Sequence, residues 1–388
     1  MSKKLHLVLA LGALVVLTAF LLNCGSSSSR PAGVLYAVSQ GESKVGSYAI
    51  NLDSGKLTLI NANASTCTGG TCGFPESLVL DPSGSAAFVL NQGDPGSGVA
   101  PAIVPYTVNS DGSLSAPGSP TSLIVGDMSP TMVRDKAGNF LLVANQTSNT
   151  VTLFSIQSGS TNISLVGSVS VGQLPVAVAI DPNDNFFYVV NQTDNTVGEY
   201  DLATGVEKAG SPYTTGSVPS AVVAVRTTPV GGTGGLFVYV ANSGNGSGAN
   251  SVTIFSVCLV ENANCSTQDK DDAKMVPVGS PISVGLNPVA MAVDPTNNFL
   301  YVVNQGSNTV SGFRINAATG ELSALNPATV PTGTRPVALT IHPNGKFLFV
   351  SNNGSSSISG FTLDTTSGKL AAIETITSSA QPAGIGAK

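Results

Sequence analysis

The chain has 388 residues, of which 10% are charged, and its formal net charge is −6. An average soluble domain has roughly a quarter of its residues charged, so this composition, with 43 Gly and 23 Pro, argues against a helical bundle, a coiled coil and a charged disordered chain. The absence of any Lys/Arg cluster after Lys4 argues against nucleic-acid binding, which needs a basic surface. An apolar fraction of 42% can fill a substantial core, and an all-β chain of this length can form one domain.

The N-terminus has the pattern of an export signal. Lys3 and Lys4 precede an apolar run over residues 5–22, and a Gly-Ser-Ser-Ser-Ser tether follows Cys24. Residues 21–24, Leu-Leu-Asn-Cys, resemble a bacterial lipobox, in which the cysteine becomes the lipidated first residue after cleavage. Because 18 mostly apolar residues can just span a bilayer, an uncleaved anchor helix is an alternative, and ordinary secretion is another.

This pattern predicts three regions: a lipoprotein signal peptide over 1–23, lipidated Cys24 with a flexible linker over 24–32, and a folded domain over 33–388. Removal of the signal peptide takes away Lys3 and Lys4, so 14 basic and 22 acidic residues remain, a net charge of −8. The expected location is the bacterial cell envelope, on its periplasmic or its surface face, with the membrane as a partner through the lipid.

Four further cysteines form two close pairs, Cys67 with Cys72 and Cys258 with Cys265. An even number of locally paired cysteines in an exported chain predicts two disulfides that close short loops. A zinc site is the alternative for four thiols, but His and carboxylate partners at ligand spacing are absent from the sequence near them. We therefore expect no metal and no cofactor.

The chain from residue 35 onward repeats one strand pattern seven times, an aromatic residue or Leu followed by Val, a small residue and usually Asn. The seven copies lie at residues 35–39, 87–91, 141–145, 187–191, 238–242, 300–304 and 348–352. Self-similarity at a spacing of about 50 residues indicates a repeat architecture in which each unit buries its faces against its neighbours.

Each unit has the same internal order. A Pro opens a short apolar run, as at 175–180 and 288–293, and a turn with Asp-Pro or His-Pro follows, as at 81–84, 181–184, 294–297 and 342–345. Asp and Pro at these positions are typical of a type I turn between two strands. The repeated strand comes next, then a third strand, a turn with Thr-Gly or Ser-Gly, and a weaker fourth strand. Four alternating strands per unit predict the blade of a β-propeller.

The two ends of the chain complement each other. The last residues, 381–388, match a Pro-led inner strand with no second strand after it, whereas the first unit begins at Val34 with a second strand and has no inner one. The sequence therefore predicts that the C-terminal strand completes the N-terminal blade and closes a seven-bladed ring.

The repeated Tyr-Val-Val-Asn strands resemble the YVTN-type surface propellers. Residues 333–352 resemble the signature of the seven-bladed lactonase family related to 6-phosphogluconolactonase. This resemblance implies an all-β seven-bladed propeller over 33–388 and, as an activity, hydrolysis of a lactone. Members that resemble the cytosolic enzyme have a His directly after a segment with Arg, and often a Glu after the strand-ending Asn. This chain has Val337 after Arg335-Pro336, and Gln305 and Asn353 after the strand ends.

Residues that break the repeat are the candidates for chemistry, since residues that recur in most blades hold the blade together. Glu76 follows Pro75 and Arg335 precedes Pro336, so both are expected at the mouth of the central channel, where they can orient a lactone and stabilise an oxyanion. An ion pair or two solvated charges is the alternative. His342, the single histidine after residue 23, occupies an Asp turn position, so a turn role is expected before a catalytic one.

Two functions follow from these residues. The first is a binding or scaffold module at the cell envelope that takes a polysaccharide, a peptide or a protein on its loop face. The second is a lactonase-type hydrolase that acts on a sugar or other lactone at the channel mouth. The uniform blades and the missing histidine favour the binding module, and a monomer is expected.

Overall fold

In a computed structural model, the repeats fold into seven antiparallel sheets that follow one another around a ring. The structure describes residues 32–67, 73–92, 100–123, 131–157, 159–228, 234–244, 249–259, 265 and 273–388. All regular elements in these ranges are strands, and no helix occurs among them. The predicted all-β seven-bladed propeller is confirmed. Within the same ranges, no helix is long and apolar enough to cross a membrane.

The blades, numbered I to VII around the ring, take their strands in chain order. Blades I to III contain β1 (Val34–Ser39), β2 (Lys44–Ile50), β3 (Leu57–Ser65), β4 (Pro75–Leu80), β5 (Ala86–Asn91), β6 (Ala102–Thr107), β7 (Thr121–Ser122), β8 (Thr131–Arg134), β9 (Phe140–Asn145), β10 (Thr150–Ile156) and β11 (Ile163–Ser170). Blades IV and V contain β12 (Pro175–Ile180), β13 (Phe186–Asn191), β14 (Thr196–Asp201), β15 (Tyr213–Thr214), β16 (Pro219–Arg226), β17 (Leu236–Asn242), β18 (Ser251–Val257), β19 (Met275–Pro277) and β20 (Ile282–Ser283). Blades VI and VII contain β21 (Pro288–Val293), β22 (Phe299–Asn304), β23 (Thr309–Ile315), β24 (Leu322–Pro331), β25 (Pro336–Ile341), β26 (Phe347–Asn352), β27 (Ser357–Leu363) and β28 (Leu370–Thr377), and β29 (Pro382–Ala387) is the last strand. Blade I contains β1–β3 and β29, blade II β4–β7, blade III β8–β11, blade IV β12–β15, blade V β16–β20, blade VI β21–β24 and blade VII β25–β28.

The ring closes through β29, as the sequence predicts. This strand pairs with β1, with Leu35 opposite Ala387 and Ala37 opposite Ile385, so blade I has the order β29-β1-β2-β3. The backbone N–H of Val34 donates to the Lys388 carbonyl at 3.0 Å, and Lys388 N–H donates back at 2.9 Å. The first and last strands of the ring are therefore neighbours in one sheet.

The core lies between adjacent blades, because each sheet packs both faces on its neighbours. The second strands β1, β5, β13, β17, β22 and β26 are buried along their whole length. Tyrosines in these strands also fasten one blade to the next, since the hydroxyls of Tyr36, Tyr239 and Tyr301 donate to the carbonyls of Gly112, Gly320 and Gly368 at 2.6–2.8 Å. Apolar burial and these hydrogen bonds together fix the blade order.

The recurring Asn at the end of the second strand has a structural role. The Asn352 amide donates to the hydroxyls of Ser357 and Ser359 in the third strand at 3.2 and 3.0 Å. Gly333 lies against this amide so closely that a Cβ there would stand 2.7 Å from Asn352 Cγ. The same contact recurs between Gly285 and Asn304, which explains the repeated Gly-x-x-Pro pattern before the inner strands.

The fourth strands vary more than the other three. Blades II and IV have outer strands of two residues, β7 and β15, and blade V splits its outer strand into β19 and β20, which both pair with β18. The sequence predicts four strands in every blade, and blade V departs from that count.

The cysteine predictions are confirmed where the chain is described. Cys258 and Cys265 form a disulfide that closes a short loop after β18. Cys67 is also disulfide-bonded, whereas its predicted partner Cys72 lies outside the described residues. The signal peptide and Cys24 lie outside them as well, so lipidation stays a prediction.

Candidate functional site

A central cavity of about 810 Å³ runs along the inner strands of the ring. The inner strand is the last strand of each sheet, so one of its edges faces the cavity with its backbone N–H and C=O groups unpaired by any other strand. Ligand pockets commonly measure about 300–1,000 Å³. The cavity is therefore large enough for a small molecule and offers backbone hydrogen-bonding groups to it.

The cavity has two distinct ends. The inner strands begin at one end, each with a proline, and we call this the Pro end. They finish at the other end, where the Asp-Pro turns lie, which we call the Asp end. Five residues that directly precede an inner-strand proline have a left-handed backbone with φ of 51–54°: Leu174, Val218, Asn287, Arg335 and Gln381. This conformation is rare for non-glycine residues, and the repeat enforces it around the Pro end.

Glu76 lies at the Pro end as the second residue of β4, where its side chain lines the cavity and is half-buried. Burial raises the pKa of Glu76 to about 7, against a hydrogen bond from Gln40 that lowers it. The backbone of Glu76 is held by the ring closure, because a Cβ on Gly384 of β29 would stand 2.7 Å from the Glu76 carbonyl oxygen. Glycine at position 384 is thus required for β29 to approach β4.

A chain of amides leads to the Glu76 carboxyl. The Asn353 amide donates to Gln40 Oε1 at 3.4 Å, and Gln40 Nε2 donates to Glu76 Oε2. Asn353 also donates to the Pro382 carbonyl at 3.4 Å. These three side chains follow one line from blade VII through blade I to blade II. The arrangement orients the carboxyl toward the cavity from three separate blades.

Arg335 reaches the same cavity from blade VII and is exposed. Its backbone is fixed on both sides, since its N–H donates to Asn308 Oδ1 at 2.7 Å and its carbonyl accepts from Asn353 N–H at 2.9 Å. Glu76 and Arg335 form no ion pair with each other, so the ion-pair alternative does not apply to them. The guanidinium is left to face the cavity.

His342 lies at the Asp end, a whole inner strand away from Glu76 and Arg335. His342 lies six residue steps beyond Pro336 along β25, which is about 20 Å at 3.3 Å per residue. His342 is buried, and its Nδ1 accepts the Asn344 N–H at 3.2 Å. The structure thus brings Glu76 and Arg335 to one mouth and separates His342 from them, in its predicted turn position.

Sequence reasoning missed three residues. Gln40 contacts Glu76. A Gln also follows several other second strands, so Gln40 looked like a structural residue of the repeat. Arg134 lines the cavity at the Asp end, where its Nη1 donates to the Asp135 carbonyl at 2.7 Å. Glu199 is fully buried between blades IV and V, and burial raises its pKa to about 8. The sequence contained a signal for Glu199, because the other six blades have an uncharged residue at the equivalent position. These residues are Ser47, Pro105, Leu153, Ile254, Gly312 and Gly360.

The described residues contain no group of three His, Cys, Asp or Glu side chains placed to hold a metal ion. The Pro end presents one carboxyl, one guanidinium and several amides to the cavity.

Comparison with known families decides the identity of this propeller. The family model "Lactonase, 7-bladed beta-propeller" matches residues 126–226, 224–335 and 324–385, which is more than half of the chain. The chain belongs to the lactonase family. Comparison with curated proteins finds no match.

Solved structures share the fold of this lactonase-family protein at low identity. A putative 6-phosphogluconolactonase from Bacteroides fragilis is 15% identical with a TM-score of 0.70, over 94% of this chain and 99% of that one. The periplasmic gluconolactonase of Pseudomonas aeruginosa is 17% identical with a TM-score of 0.69, over 92% and 98%. Hydrazine synthase from Kuenenia stuttgartiensis is 18% identical with a TM-score of 0.59, over 86% and 95%. Identities this low show the fold alone.

In this lactonase-family propeller the polar groups of the Pro end gather around the ring closure. Arg335 comes from blade VII, Gln40 and Gln381 from blade I, and Glu76 from blade II. Blade I is the blade that joins the two chain ends. The candidate site is therefore assembled only when β29 is in place.

Proposed function

We propose that the protein hydrolyses a lactone at the Pro end of the cavity, with Glu76 as general base and Arg335 as the group that stabilises the oxyanion. The observation that carries this proposal is the half-buried Glu76 carboxyl, whose pKa is raised to about 7 by burial. A general base works best when its pKa lies near the working pH, because it must both take up and return a proton.

The reaction balances with these two groups. Glu76 removes a proton from a water molecule as the water oxygen bonds to the lactone carbonyl carbon, and the carbonyl oxygen becomes an oxyanion. The Arg335 guanidinium stabilises that charge. The ring C–O bond then breaks, and the Glu76 carboxyl returns its proton to the departing ring oxygen. The product is an open-chain hydroxy acid.

The amides of Gln40 and Asn353 support this role by position. Gln40 donates to one carboxyl oxygen of Glu76 and leaves the other available for water. Membership of the lactonase family supports the reaction class. Two relatives of the fold carry names of lactonases, a putative 6-phosphogluconolactonase and a periplasmic gluconolactonase.

A non-catalytic binding module is the second candidate, and one observation favours it. His342, the single histidine after residue 23, lies at the Asp end and takes no part in the Pro end. In that case the amides around the Pro end bind a polysaccharide, a peptide or a protein without turnover. Attachment to the cell envelope through Cys24 is part of both proposals.

Hydrolysis of sugar lactones by the purified protein tests the proposal. We expect kcat/KM, after subtraction of spontaneous hydrolysis, to rise with pH through about 7, since Glu76 must be ionised to act as base. Glu76→Gln should lower kcat at least a hundredfold, whereas Glu321→Gln in an exposed outer turn should leave it unchanged.

Arg335 has a conservative test of its own. Arg335→Gln should lower kcat tenfold or more without unfolding the blade, because Gln381 has the same backbone conformation at the equivalent position. No hydrolysis by the wild-type protein, with a Kd for the same compounds unaffected by Glu76→Gln, would instead establish the binding module at another surface.

A further inference from the structure

The chain enters the ring at the Asp end. β1 is antiparallel to the closing strand β29, with Leu35 opposite Ala387 and Ser39 opposite Pro382. Because Pro382 opens an inner strand, Ser39 lies at the Pro end and the start of β1 lies at the Asp end. Gly33, directly before β1, is therefore the point at which any N-terminal attachment joins the fold.

This entry point is fixed by contacts. The Gly33 carbonyl accepts the Ile50 N–H at 2.9 Å, and a Cβ on Gly33 would stand 2.8 Å from His342 Nε2. The same His342 nitrogen lies 3.0 Å from the Lys388 carbonyl oxygen. Gly33 is thus enclosed between blade VII and the ring closure, and it cannot move away from the Asp end without disrupting both.

Residues 24–32 connect the predicted lipid attachment to this point, and we call them the tether. Nine residue steps from Cys24 to Gly33 span at most about 32 Å when fully extended. A Gly/Ser-rich chain of nine residues has an average span of about 17 Å. The predicted alternative, an uncleaved helix over 5–22, joins the ring at the same point and adds only two steps.

The Pro end lies far from Gly33 compared with the span of the tether. Seven residue steps along β1 lead from Gly33 to Gln40 at the Pro end, which is about 23 Å at 3.3 Å per residue. A tether that turns toward the Pro end over the outside of blade I must first pass β2 and β3, about 10 Å more. The whole path of roughly 33 Å uses the full extension of the tether and is about twice its average span.

Charge does not oppose contact between the Asp end and a membrane. The turns of blades I and VII that flank Gly33 at this end have three exposed lysines, Lys56, Lys346 and Lys369, and two exposed carboxylates, Asp53 and Asp364. Asp364 also accepts hydrogen bonds from N–H groups of its own turn. These turns have no excess of negative charge, although the chain after residue 23 is acidic, so they can approach anionic lipid headgroups.

We infer that the tether holds the Asp end of blades I and VII against the membrane surface, so that the Pro end opens away from it. The inference rests on the membrane attachment that is part of the proposed function. In this orientation a ligand reaches Glu76 and Arg335 from the aqueous side without entering the headgroup layer.

Fluorescence quenching in vesicles tests this orientation. Thr365→Cys places a thiol in an exposed turn at the Asp end of blade VII, and Thr334→Cys is its matched control, exposed at the Pro end of the same blade. Each full-length protein, purified from membranes, is labelled with NBD-maleimide and reconstituted into phosphatidylcholine–phosphatidylglycerol vesicles. Some of the lipids have a nitroxide quencher on the headgroup, and wild type treated in the same way gives the background labelling.

We expect the headgroup nitroxides to quench the label of Thr365→Cys at least twice as strongly as that of Thr334→Cys. Equal quenching of the two labels, or stronger quenching at the Pro end, would overturn the inference. Quenching of neither label would overturn it as well, because neither end would then lie at the membrane.

A longer tether tests the physical cause. Insertion of about 20 Gly/Ser residues after Ser29 raises the average span to roughly 30 Å, so the quenching ratio should fall toward one. The double variant Ser27→Gly with Ser28→Gly keeps the length of the tether and should keep the ratio. An unchanged ratio after the insertion would show that the tether does not hold the Asp end in place, contrary to the inference.

Lactone hydrolysis by the wild-type protein in the same vesicles is measured separately. Absence of hydrolysis with the quenching ratio retained would reject the lactonase proposal and support the orientation. Hydrolysis with a ratio of one would do the reverse. A protein that does not sediment with the vesicles would overturn the orientation together with the predicted anchor and leave hydrolysis intact.

Discussion

The His342 side chain bonds to the last residue of the chain, with Nε2 3.0 Å from the Lys388 carbonyl oxygen. Its Nδ1 accepts the Asn344 N–H, so the proton lies on Nε2 and His342 donates to Lys388. The equivalent Asp294 accepts hydrogen bonds within its own turn, from the backbone N–H groups of Thr296, Asn298 and Phe299. Histidine at this position adds a bond from blade VII to the strand that closes blade I.

The ring closure should be essential for a monomeric fold. Deletion of residues 381–388 removes β29 and exposes the edge of β1. It also uncovers apolar side chains that pack with Ile385 in one cluster, such as Tyr48 and Phe349. We expect aggregation and loss of cooperative unfolding, measured by light scattering and calorimetry.

A point variant keeps this prediction testable if the deletion does not fold. Ile385→Ala should lower the free energy of unfolding by about 2–4 kcal/mol, because Ile385 is buried against blade VII. Leu165→Ala, at a position 66% exposed on β11, should change it by less than about 0.5 kcal/mol. A monomer with an unchanged Tm after the deletion would disprove the seven-bladed closure.

The buried Glu199 should make stability depend on pH. Its two carboxyl oxygens and the facing Tyr188 hydroxyl have no hydrogen bond of ordinary geometry, and burial is the main cause of its raised pKa, with Lys208 acting against it and Asp181 with it. Because the folded state binds the proton more tightly than the unfolded state, stability is highest below the usual carboxyl pKa and falls as the pH rises toward about 8.

Glu199→Gln should remove most of this dependence. We expect the variant to be more stable than wild type by roughly 2–4 kcal/mol at pH 8.5, with the difference shrinking toward pH 4.5. Urea unfolding at both pH values measures it, and exposed Glu321→Gln is the control. A constant difference between the two pH values would mean that Glu199 titrates normally.

The Cys258–Cys265 disulfide should contribute modestly. It closes a loop with a sequence separation of seven, so loop entropy predicts about 2–3 kcal/mol at most. Cys265→Ser should lower the free energy of unfolding by that amount or less, while Cys258 stays buried as a thiol. Thiol labelling of the exported protein checks the pairing, and full labelling of all four cysteines after residue 24 would show that neither disulfide forms.

Cys24 carries the predicted anchor. Cys24→Ala should move the protein from the membrane fraction into a soluble fraction if the lipid is the attachment. Fractionation followed by immunoblotting measures this. Retention of Cys24→Ala in the membrane fraction would point to residues 5–22 as an uncleaved helix.

The candidate site lay partly within reach of sequence reasoning. Glu76 and Arg335 stood out because both put a charge beside a proline where most repeats are neutral, and position in the repeat placed them at one mouth. Gln40 was hidden by its similarity to Gln305 and Gln192. Its contact with Glu76 depends on the packing of blade I against blade II, which sequence spacing does not encode.

The sequence by itself determined the blade count, the strand order and the closure, because the repeated second strand, the proline at the inner strand and the Asp-Pro turns are local signals that recur along the chain. Tertiary structure alone decided the environment of single groups. The pKa of Glu76 and the burial of Glu199 arise from packing between neighbouring blades, and the bond from His342 to Lys388 joins blade VII to blade I. Burial and charge interaction depend on distances in space, and those exist only once the ring is closed.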